Sequence, residues 1–511
     1  MKRRRSRRHA GRHLGRVRTL AAPLLACALL LGFAFPVIAV DRSAAHAMNA
    51  RLARGINMGN MFEAPSEAAW GNPWRSGYFR MIAELGFDHV RIPVRWETAA
   101  RSMALPPYTI TPSFMSRVRE VVDEALGEGL LVILNMHHHD ALYADPRGQR
   151  DRFLAQWRQI AAAFSDYPDE LLFEVLNEPH GNLSATMWND FFADALVEIR
   201  ATNPTRQVLL GTAEYGGLAA VPRLRPPADP NIILSVHYYN PFSFTHQGAE
   251  WVGPQSNAWL GTTWNDTEAE RESILSEFRV TKAFAERHDL PIHVGEFGAY
   301  STADLESRVR WTRFLARWFE EQGWSWAYWE FSAGFGIYSP ARRAYVVELV
   351  DALLYDPMPD AIAIDATELY RGTFARGPDG WTLGTQGGAS ARLSGGGALS
   401  VAIDRGGSET WHVQMVRPGV ALERGKAYRV RFVGTAPTQR SATAYIGRAT
   451  APWDAYSGYT AVSFSPDRSE QSFTFTMGAA TDRNARLVFD LGLSTVDVVI
   501  ESIVIEEIRA R

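Results

Sequence analysis

Residues 171–179 read Leu-Leu-Phe-Glu-Val-Leu-Asn-Glu-Pro, and residues 291–298 read Pro-Ile-His-Val-Gly-Glu-Phe-Gly. Both are short runs of apolar and β-branched residues, which is typical of a buried parallel strand. Pro179 and Gly298 then end the two runs just beyond a glutamate, Glu178 in the first and Glu296 in the second. Either glutamate alone could simply open a loop, but the matched pair indicates two carboxyl groups carried by two rigid strand ends.

Six further runs of this kind lie between residues 50 and 355, and amphipathic segments such as 116–128, 153–164, 187–201 and 305–322 separate them. Eight strands alternating with helices over this length favour a closed (β/α)₈ barrel of the α/β class. An open doubly wound sheet is the alternative, although residues 55–60 lack the glycine-rich phosphate turn that such a sheet usually carries. The eight predicted strands are 54–59, 89–95, 130–137, 171–178, 207–214, 232–239, 291–298 and 324–331.

The character of the chain changes near residue 366, where Gly, Ser and Thr increase and helical periodicity disappears. Short alternating runs separated by turn residues predict an all-β sandwich of the jelly-roll type over residues 366–511. The join at 356–360 is short, so we expect the two domains to be closely coupled. The predicted strands of this domain include 427–433, 442–446, 470–476, 485–491 and 496–505.

The first 47 residues resemble an export signal. Residues 2–18 are basic, residues 20–40 carry no charge, and residues 45–47, Ala-His-Ala, offer a small-residue cleavage site. The uncharged part is long enough to cross a bilayer, so an uncleaved anchor is the alternative. We therefore expect a secreted protein, or one held at the cell surface if the segment stays, with a signal peptide at 1–47 and a barrel domain at 48–357.

Charge and cysteine content exclude several classes of function. Residues 1–47 carry ten basic residues and one acid, which leaves about −12 for the remainder of a chain whose net charge is −3. An acidic body argues against nucleic acid and anionic membranes as partners. Cys27 is the only cysteine, so the processed chain would have neither a disulfide nor thiolate chemistry. We expect a monomer.

Polar residues cluster at the ends of the predicted strands, and in a barrel those ends meet at one face. Two carboxyl groups at such a face are what glycoside hydrolysis needs, one as an acid and the other as a nucleophile or base. The residues alone leave these two roles interchangeable. The strand-end residues are Asn60, Glu63, Arg91, His137, His138, Asn177, Glu178, His237, Tyr239, Glu296, Trp329 and Glu330.

Three consecutive histidines, residues 137–139, raise the question of a metal site. Neighbouring residues of a strand point to opposite faces, and no carboxylate is spaced to complete a ligand set. We therefore expect no metal at this run and no cofactor.

Seven segments of the predicted barrel resemble strand-end motifs of glycoside hydrolase family 5. Residues 244–251, Phe-Thr-His-Gln-Gly-Ala-Glu-Trp, are similar to a bacterial subfamily of thermophilic endoglucanases, some of which also cleave mannan. The resemblance covers residues 50–355 and implies a retaining endo-β-1,4-glucanase. The seven segments are 55–60, 89–93, 135–138, 176–179, 237–241, 295–298 and 326–331.

The resemblance separates the roles of the two glutamates. It implies that Glu178 is the acid/base, that Glu296 is the nucleophile, and that Asn177 holds the sugar 2-hydroxyl. It also implies that Arg91 and Tyr239 lie beside Glu296, although a structural ion pair beneath the barrel mouth is the alternative for Arg91.

The resemblance further implies a set of substrate contacts. Trp329 would form the floor beneath the sugar being cleaved, with a cis peptide bond to the next residue. Residues 61–62, Met-Phe, stand where relatives carry two small residues, which bears on the shape of the neighbouring subsite. The remaining implied contacts are Asn60, Glu63, His137, His138, His237, Trp251 and Glu330.

Three segments of the C-terminal domain, 379–383, 411–414 and 453–459, resemble carbohydrate-binding modules of the family 4/9 type. Such modules bind sugar chains with aromatic residues in a groove. A domain that only braces the barrel is the alternative. The candidate ligand contacts are Trp411, Gln414, Trp453 and Tyr456.

The sequence thus predicts a secreted endo-β-1,4-glucanase, or cellulase, whose partner is a β-linked polysaccharide such as cellulose, β-glucan or glucomannan. A β-1,4-mannanase, or an enzyme that acts on both glucan and mannan, is the first alternative. A non-catalytic polysaccharide-binding protein on a barrel scaffold is the second, and a β-1,3-glucanase is less favoured.

Overall fold

A computed structural model describes residues 40–511, so most of the predicted export segment, residues 1–39, lies outside the described residues. Eight parallel strands close into one barrel in the order of the sequence, which confirms the predicted architecture. Each strand overlaps one of the predicted runs. They are β1 Arg54–Asn57, β2 His89–Ile92, β3 Leu131–Asn135, β4 Leu171–Glu174, β5 Val208–Leu210, β6 Ile232–His237, β7 Ile292–Phe297 and β8 Ser325–Tyr328.

Helices surround the barrel, and their ends follow ordinary capping rules. Thr267 and Glu270 form a capping box at the start of α8 (Glu268–His288). Asp304 caps α9 (Leu305–Glu321) by accepting from the amide of Ser307 at 2.8 Å. No helix within residues 40–511 has the length and apolar character needed to cross a membrane. The helices are α1 Ser43–Leu52, α2 Tyr78–Leu85, α3 Pro112–Gly127, α4 Asp140–Ala144, α5 Pro146–Ala163, α6 Ala185–Arg200, α7 Phe242–Thr245, α8 Glu268–His288, α9 Leu305–Glu321 and α10 Val347–Leu354.

Helix α1 packs across the amino-terminal end of the barrel. Ala45, Met48 and Leu52 form a buried cluster with residues that open the strands, including Leu131 and Leu172. Residues 43–47 are the first half of α1, so cleavage after residue 47 would remove part of this helix. Ala45, one of the small residues that suggested a cleavage site, is fully buried against the barrel.

The C-terminal domain is a sandwich of two antiparallel sheets, which confirms the all-β prediction. The order of one sheet is β13-β14-β21-β16-β19, with β11 also paired to β21, and the order of the other is β12-β15-β20-β17-β18. A hairpin of β9 Tyr338–Ser339 and β10 Ala344–Tyr345 follows the barrel. The sandwich strands are β11 Ile364–Gly372, β12 Thr382–Thr385, β13 Ser390–Gly395, β14 Leu399–Arg405, β15 Val413–Leu422, β16 Ala427–Thr435, β17 Arg440–Gly447, β18 Thr460–Phe464, β19 Ser469–Thr476, β20 Asp482–Asp490 and β21 Val498–Ala510.

The two domains pack directly against each other, as the short join predicts. Helix α8 lies against β19, and Ile362 pairs with Thr267 at the start of that helix. The Ser441 hydroxyl donates to the carbonyl of Ala219, in the loop after β5, at 3.0 Å. The β-domain therefore reaches the loops at the carboxyl end of the barrel, where the predicted site lies.

Candidate active site

Arg91 on β2 is the centre of a buried network at the carboxyl end of the barrel. Its Nη1 donates to Glu296 Oε1 and to Asn57 Oδ1, both at 2.8 Å. Its Nη2 donates to Asn177 Oδ1 and its Nε to Glu174 Oε2, both at 2.6 Å. Burial alone would lower the pKa of Arg91, but Glu174 and Glu296 outweigh it and raise that pKa. One cation therefore ties four strand ends together.

The two interpretations of Arg91 are both correct in part. Glu174 is fully buried below the cavity and forms a structural ion pair with the guanidinium, whereas Glu296 lies in the cleft. Because Asn177 Oδ1 is bound to the arginine, the Asn177 amide nitrogen is left as a donor at the cavity surface.

Glu296 at the end of β7 is held by two donors. Tyr239 Oη donates to its Oε2 at 2.8 Å, and Arg91 binds its Oε1. The Nδ1 atom of His237 lies 3.6 Å from Oε2. Burial raises the pKa of Glu296, and the opposing effects of His237 and Arg91 reduce this rise without cancelling it. These contacts stabilise the ionised form of Glu296, the form that a nucleophile requires.

Glu178 differs from Glu296 in its partners. His237 Nδ1 lies 2.8 Å from Glu178 Oε1, and no arginine among the described residues is hydrogen-bonded to this carboxyl. Burial raises the pKa of Glu178 to about 7, with an opposing effect of Arg91. Burial also lowers the pKa of His237, which keeps that ring neutral. Glu178 therefore holds a proton near neutral pH, as a general acid must.

The two glutamates are close together. One carboxyl oxygen of each, with a nitrogen of His237, lies within 4.8 Å of the others. Retaining glycosidases place their carboxyl groups roughly 5–5.5 Å apart, whereas inverting enzymes leave about 6.5–9.5 Å for a water molecule. The spacing favours a double displacement.

Trp329 and the predicted histidines form an aromatic wall of the cleft. The Trp329 ring stacks on His137 with centroids 5.6 Å apart and an angle of 11° between the planes. His138 lies against Trp70 at 5.9 Å, edge to face. The peptide bond between Trp329 and Glu330 is cis, as the resemblance predicts. This wall offers a flat apolar surface to one face of a sugar ring.

Two further predicted contacts, Glu63 and Glu330, have carboxylates that hold the backbone. Glu63 accepts from the amides of Asn60 and Met61, and burial raises its pKa to about 8.

Burial also raises the pKa of Glu330 to about 7. Glu330 is fully buried and accepts hydrogen bonds from the amides of Ser332, Ala333 and Phe335. The structure therefore gives Glu330 a role in shaping a loop instead of the expected sugar contact.

A cleft of about 1210 Å³ runs over the two glutamates. Arg91 lies beneath it, and Glu330 is not part of its lining. Among the predicted site residues, those that line it are Asn60, Glu63, His137, His138, Asn177, Glu178, His237, Tyr239, Trp251, Glu296 and Trp329.

Several functional residues were not predicted from the sequence. Asn57 and Glu174 are buried partners of Arg91, and the signal for both was a polar side chain inside an otherwise apolar strand. Trp70, Tyr215 and His246 line the cleft from loops, where no strand pattern marks them.

The four candidate contacts of the β-domain are placed in two ways. Trp411 and Trp453 are exposed, and the Arg486 guanidinium lies 4.7 Å from the Trp453 ring centroid. Gln414 Nε2 donates to Asp490 Oδ1 at 2.8 Å. Tyr456 Oη donates to a carboxylate, Oδ2 of Asp482, at 2.9 Å. The two tryptophan rings are exposed, although Arg486 covers one face of Trp453, whereas the two polar side chains are already engaged.

Comparison with known protein families identifies the families of the two domains. The family described as Cellulase (glycosyl hydrolase family 5) matches residues 52–334. The chain belongs to glycoside hydrolase family 5. A second family, described as Carbohydrate binding domain, matches residues 367–497. Both predicted resemblances are thereby confirmed.

Solved structures of this family resemble the barrel. Endoglucanase Cel5A from the hyperthermophilic Thermotoga maritima shares 46% sequence identity at a TM-score of 0.59, over 60% of this chain and 99% of that chain. A structure of Cel5A in complex with a mannotriose substrate shares 45% identity at the same TM-score, over 60% and 99% of the two chains.

Curated relatives are more distant, and the chain matches only part of the two described next. Endoglucanase H of Acetivibrio thermocellus is 34% identical over 310 residues, which are 59% of this chain and 33% of that protein. Endoglucanase B of Clostridium cellulovorans is 28% identical over 285 residues, 52% of this chain and 62% of that protein. The chain thus spans between one third and two thirds of the length of these relatives.

Proposed function

We propose that this family 5 chain hydrolyses internal bonds of β-1,4-glucans with retention of anomeric configuration. The observation that carries the proposal is the pairing of two carboxyl groups within 4.8 Å in opposite environments. Glu296 is bound by Arg91 and Tyr239, whereas burial raises the pKa of Glu178 to about 7. One carboxyl group is thus prepared to attack and the other to donate a proton.

The proposed reaction has two displacements. In the first, a carboxylate oxygen of Glu296 bonds to the anomeric carbon, the glycosidic bond breaks, and the Glu178 proton passes to the leaving oxygen. In the second, the Glu178 carboxylate takes a proton from water, whose oxygen bonds to the anomeric carbon and releases Glu296. The amide nitrogen of Asn177 donates to the sugar 2-hydroxyl, a contact expected to strengthen in the transition state.

The substrate panel tests this proposal. Hydrolysis rates are measured side by side on carboxymethylcellulose, glucomannan, galactomannan and laminarin, and the first anomer formed from a cello-oligosaccharide is followed by proton NMR. We expect hydrolysis of carboxymethylcellulose and glucomannan, with the β-anomer appearing first. Initial release of the α-anomer would contradict retention, and inactivity on all four polymers would favour the binding-protein alternative.

Activity on mannan is a second candidate function. A relative 45% identical to this chain has been solved in complex with a mannotriose substrate. Mannose differs from glucose by an axial 2-hydroxyl, so tolerance would be decided near Asn177 and His138, which both line the cleft. A galactomannan rate within about tenfold of the glucomannan rate, or 1.4 kcal/mol in the transition state, would support a dual enzyme.

We propose that the β-domain binds polysaccharide through exposed aromatic rings. Trp411 and Trp453 are exposed on a domain that matches a carbohydrate-binding family, and Arg486 covers one face of the Trp453 ring. The glucan in a native gel should retard the full-chain variants Trp411→Ala and Trp453→Ala less than it retards the wild type, because stacking area is lost. Unchanged retardation for both variants would favour a bracing role.

We also propose that the chain is exported. The support is the sequence alone, namely the basic residues 2–18 followed by the uncharged residues 20–40. Expression of the full chain in a bacterial host, followed by fractionation and N-terminal sequencing, tests this. Cytoplasmic retention of an uncleaved chain would contradict it.

A further inference from the structure

The wall of the catalytic cleft does not stop at the barrel. The cavity that contains Glu178 and Glu296 is also lined by Ala461 and Ser463 of β18 and by Gln471 of β19. Gln471 fixes this wall, because its Nε2 donates to the Ser463 carbonyl at 2.6 Å and its Oε1 accepts from the Ser463 amide at 3.0 Å. The β-domain is therefore part of the surface that a long substrate would meet.

The outer face of β18 continues this wall. Successive strand residues point to opposite faces, and Val462 and Phe464 are in the sandwich core. Ala461 and Ser463 therefore point outward, and Tyr459, two residues before Ala461, falls on the same side, with its ring 4.9 Å from that of Tyr445. At a rise of about 3.3 Å per residue the row from 459 to 463 spans about 13 Å.

The row adjoins the side of the cleft on which the acid/base lies. Tyr215 is 62% exposed and stacks on His180, two residues beyond Glu178, at 4.4 Å. The loop that follows Tyr215 also lines the cavity, and it is held to the β-domain by the Ser441 hydroxyl. The tryptophan and histidine wall occupies a different part of the lining.

The proposed reaction indicates which portion of the substrate lies on the Glu178 side of the cleft. The acid donates its proton to the leaving oxygen, so the leaving portion of the chain departs on the side of Glu178. Tyr459 is 62% exposed, and an aromatic ring left open to solvent beside a sugar-binding cleft suits stacking on a pyranose.

We propose that the outer row of β18, residues 459–463, forms distal subsites for the leaving portion of the same β-glucan chain that is cleaved in the barrel. The proposal rests on the hydrolase function proposed above and adds to it a second role for the β-domain. This domain would extend the cleft instead of only capturing polymer at a separate place.

The test compares long and short substrates. The quantity is the ratio of kcat/KM for cellohexaose to that for cellotriose, measured on the full chain. Tyr459→Ala removes the stacking surface, and Ala461→Trp blocks the wall at an exposed position, so each should lower the ratio about tenfold. The matched control is Tyr355→Ala, an equally exposed tyrosine (61%) whose hydroxyl binds the Leu85 carbonyl at the amino-terminal end of the barrel, and it should keep the wild-type ratio.

Product lengths give a second readout. With cellohexaose labelled at its reducing end, wild type should release longer labelled fragments than either variant, because the labelled half binds along β18. An unchanged ratio together with unchanged fragment lengths in both folded variants would overturn the proposal. If one variant does not unfold cooperatively on heating, it is not properly folded, and the result of the other variant then tests the proposal.

The failure of this proposal is distinguishable from failure of the hydrolase function. Wild type that cleaves cellotriose with retention, but whose ratio neither variant alters, keeps the hydrolase function and loses the distal subsites. Wild type that cleaves neither oligosaccharide loses both.

Discussion

Glu178 at the barrel mouth and Glu506 in the β-domain are two carboxyl groups in opposite surroundings. At the barrel mouth, burial raises the pKa of Glu178 and Glu330 to about 7 and that of Glu63 to about 8. In the β-domain, Arg429 and Arg431 outweigh burial and lower the pKa of Glu506. A carboxyl group that lines the cleft and keeps a proton near neutral pH, such as Glu178, can serve as an acid, whereas Glu506 lies outside the cleft lining and is held by two arginines.

The largest effect should follow removal of one barrel carboxylate. Glu296→Gln leaves the shape of the cleft but removes the nucleophile, so kcat on carboxymethylcellulose should fall at least about 10³-fold. The matched control is Glu506→Gln. It removes the charge of a buried β-domain carboxylate that is bound by Arg429 and Arg431, and it should leave kcat within about twofold. Equal losses in the two variants would break the distinction between the two regions.

The next largest effect concerns stability. Arg91→Met leaves Glu174 buried without its cation, and breaking such a pair costs about 3–5 kcal/mol. Arg431→Met loses partly exposed pairs with Glu470 and Glu506 and should cost only about 1 kcal/mol or less. Urea unfolding of both variants measures the difference, and similar losses would contradict the account of the Arg91 network.

The pH dependence of activity sharpens the comparison further. Because the acid must be protonated and burial raises the pKa of Glu178 to about 7, kcat/KM should be high below pH 7 and fall as the pH rises through 7. A pH series on a soluble cello-oligosaccharide measures this limb. A fall that begins only above pH 9 would assign the acid to another group.

The smallest effect is on stability as a function of pH. Burial raises the pKa of Glu277, beside the β-domain, to about 7, so the folded protein keeps a proton there that the unfolded chain loses above about pH 4.5. The contribution of Glu277 to stability should therefore decline as the pH rises from about 4.5 to about 7, and Glu63, Glu178 and Glu330 act in the same direction. Glu277→Gln should make the decline shallower in calorimetric melting curves, and an unaltered slope would exclude a contribution from Glu277.

The sequence was sufficient for the barrel, because each strand is a continuous apolar run and each active residue follows the strand that carries it. Glu178, Glu296 and Tyr239 were placed in this way. The sequence was insufficient where tertiary context decides. Glu174 and Asn57 became partners of Arg91 only through the closure of the barrel, which no single strand pattern shows.

The amino-terminal boundary shows a second limit. Ala45 matches the small residues of a cleavage site, but it is also buried within α1 against the barrel. The contribution of Ala461 and Ser463 to the cleft wall could not be predicted either, because it depends on how the two domains pack.

The most direct test of the central claim is to trap the covalent intermediate. Wild type is incubated with a 2-deoxy-2-fluoro cellobioside that carries a good leaving group, and the labelled peptide is identified by mass spectrometry. If Glu296 is the nucleophile, we expect one cellobiosyl adduct per chain, located on Glu296, and none in Glu296→Gln. An adduct on Glu178, or rapid turnover to the α-anomer with no adduct, would contradict it.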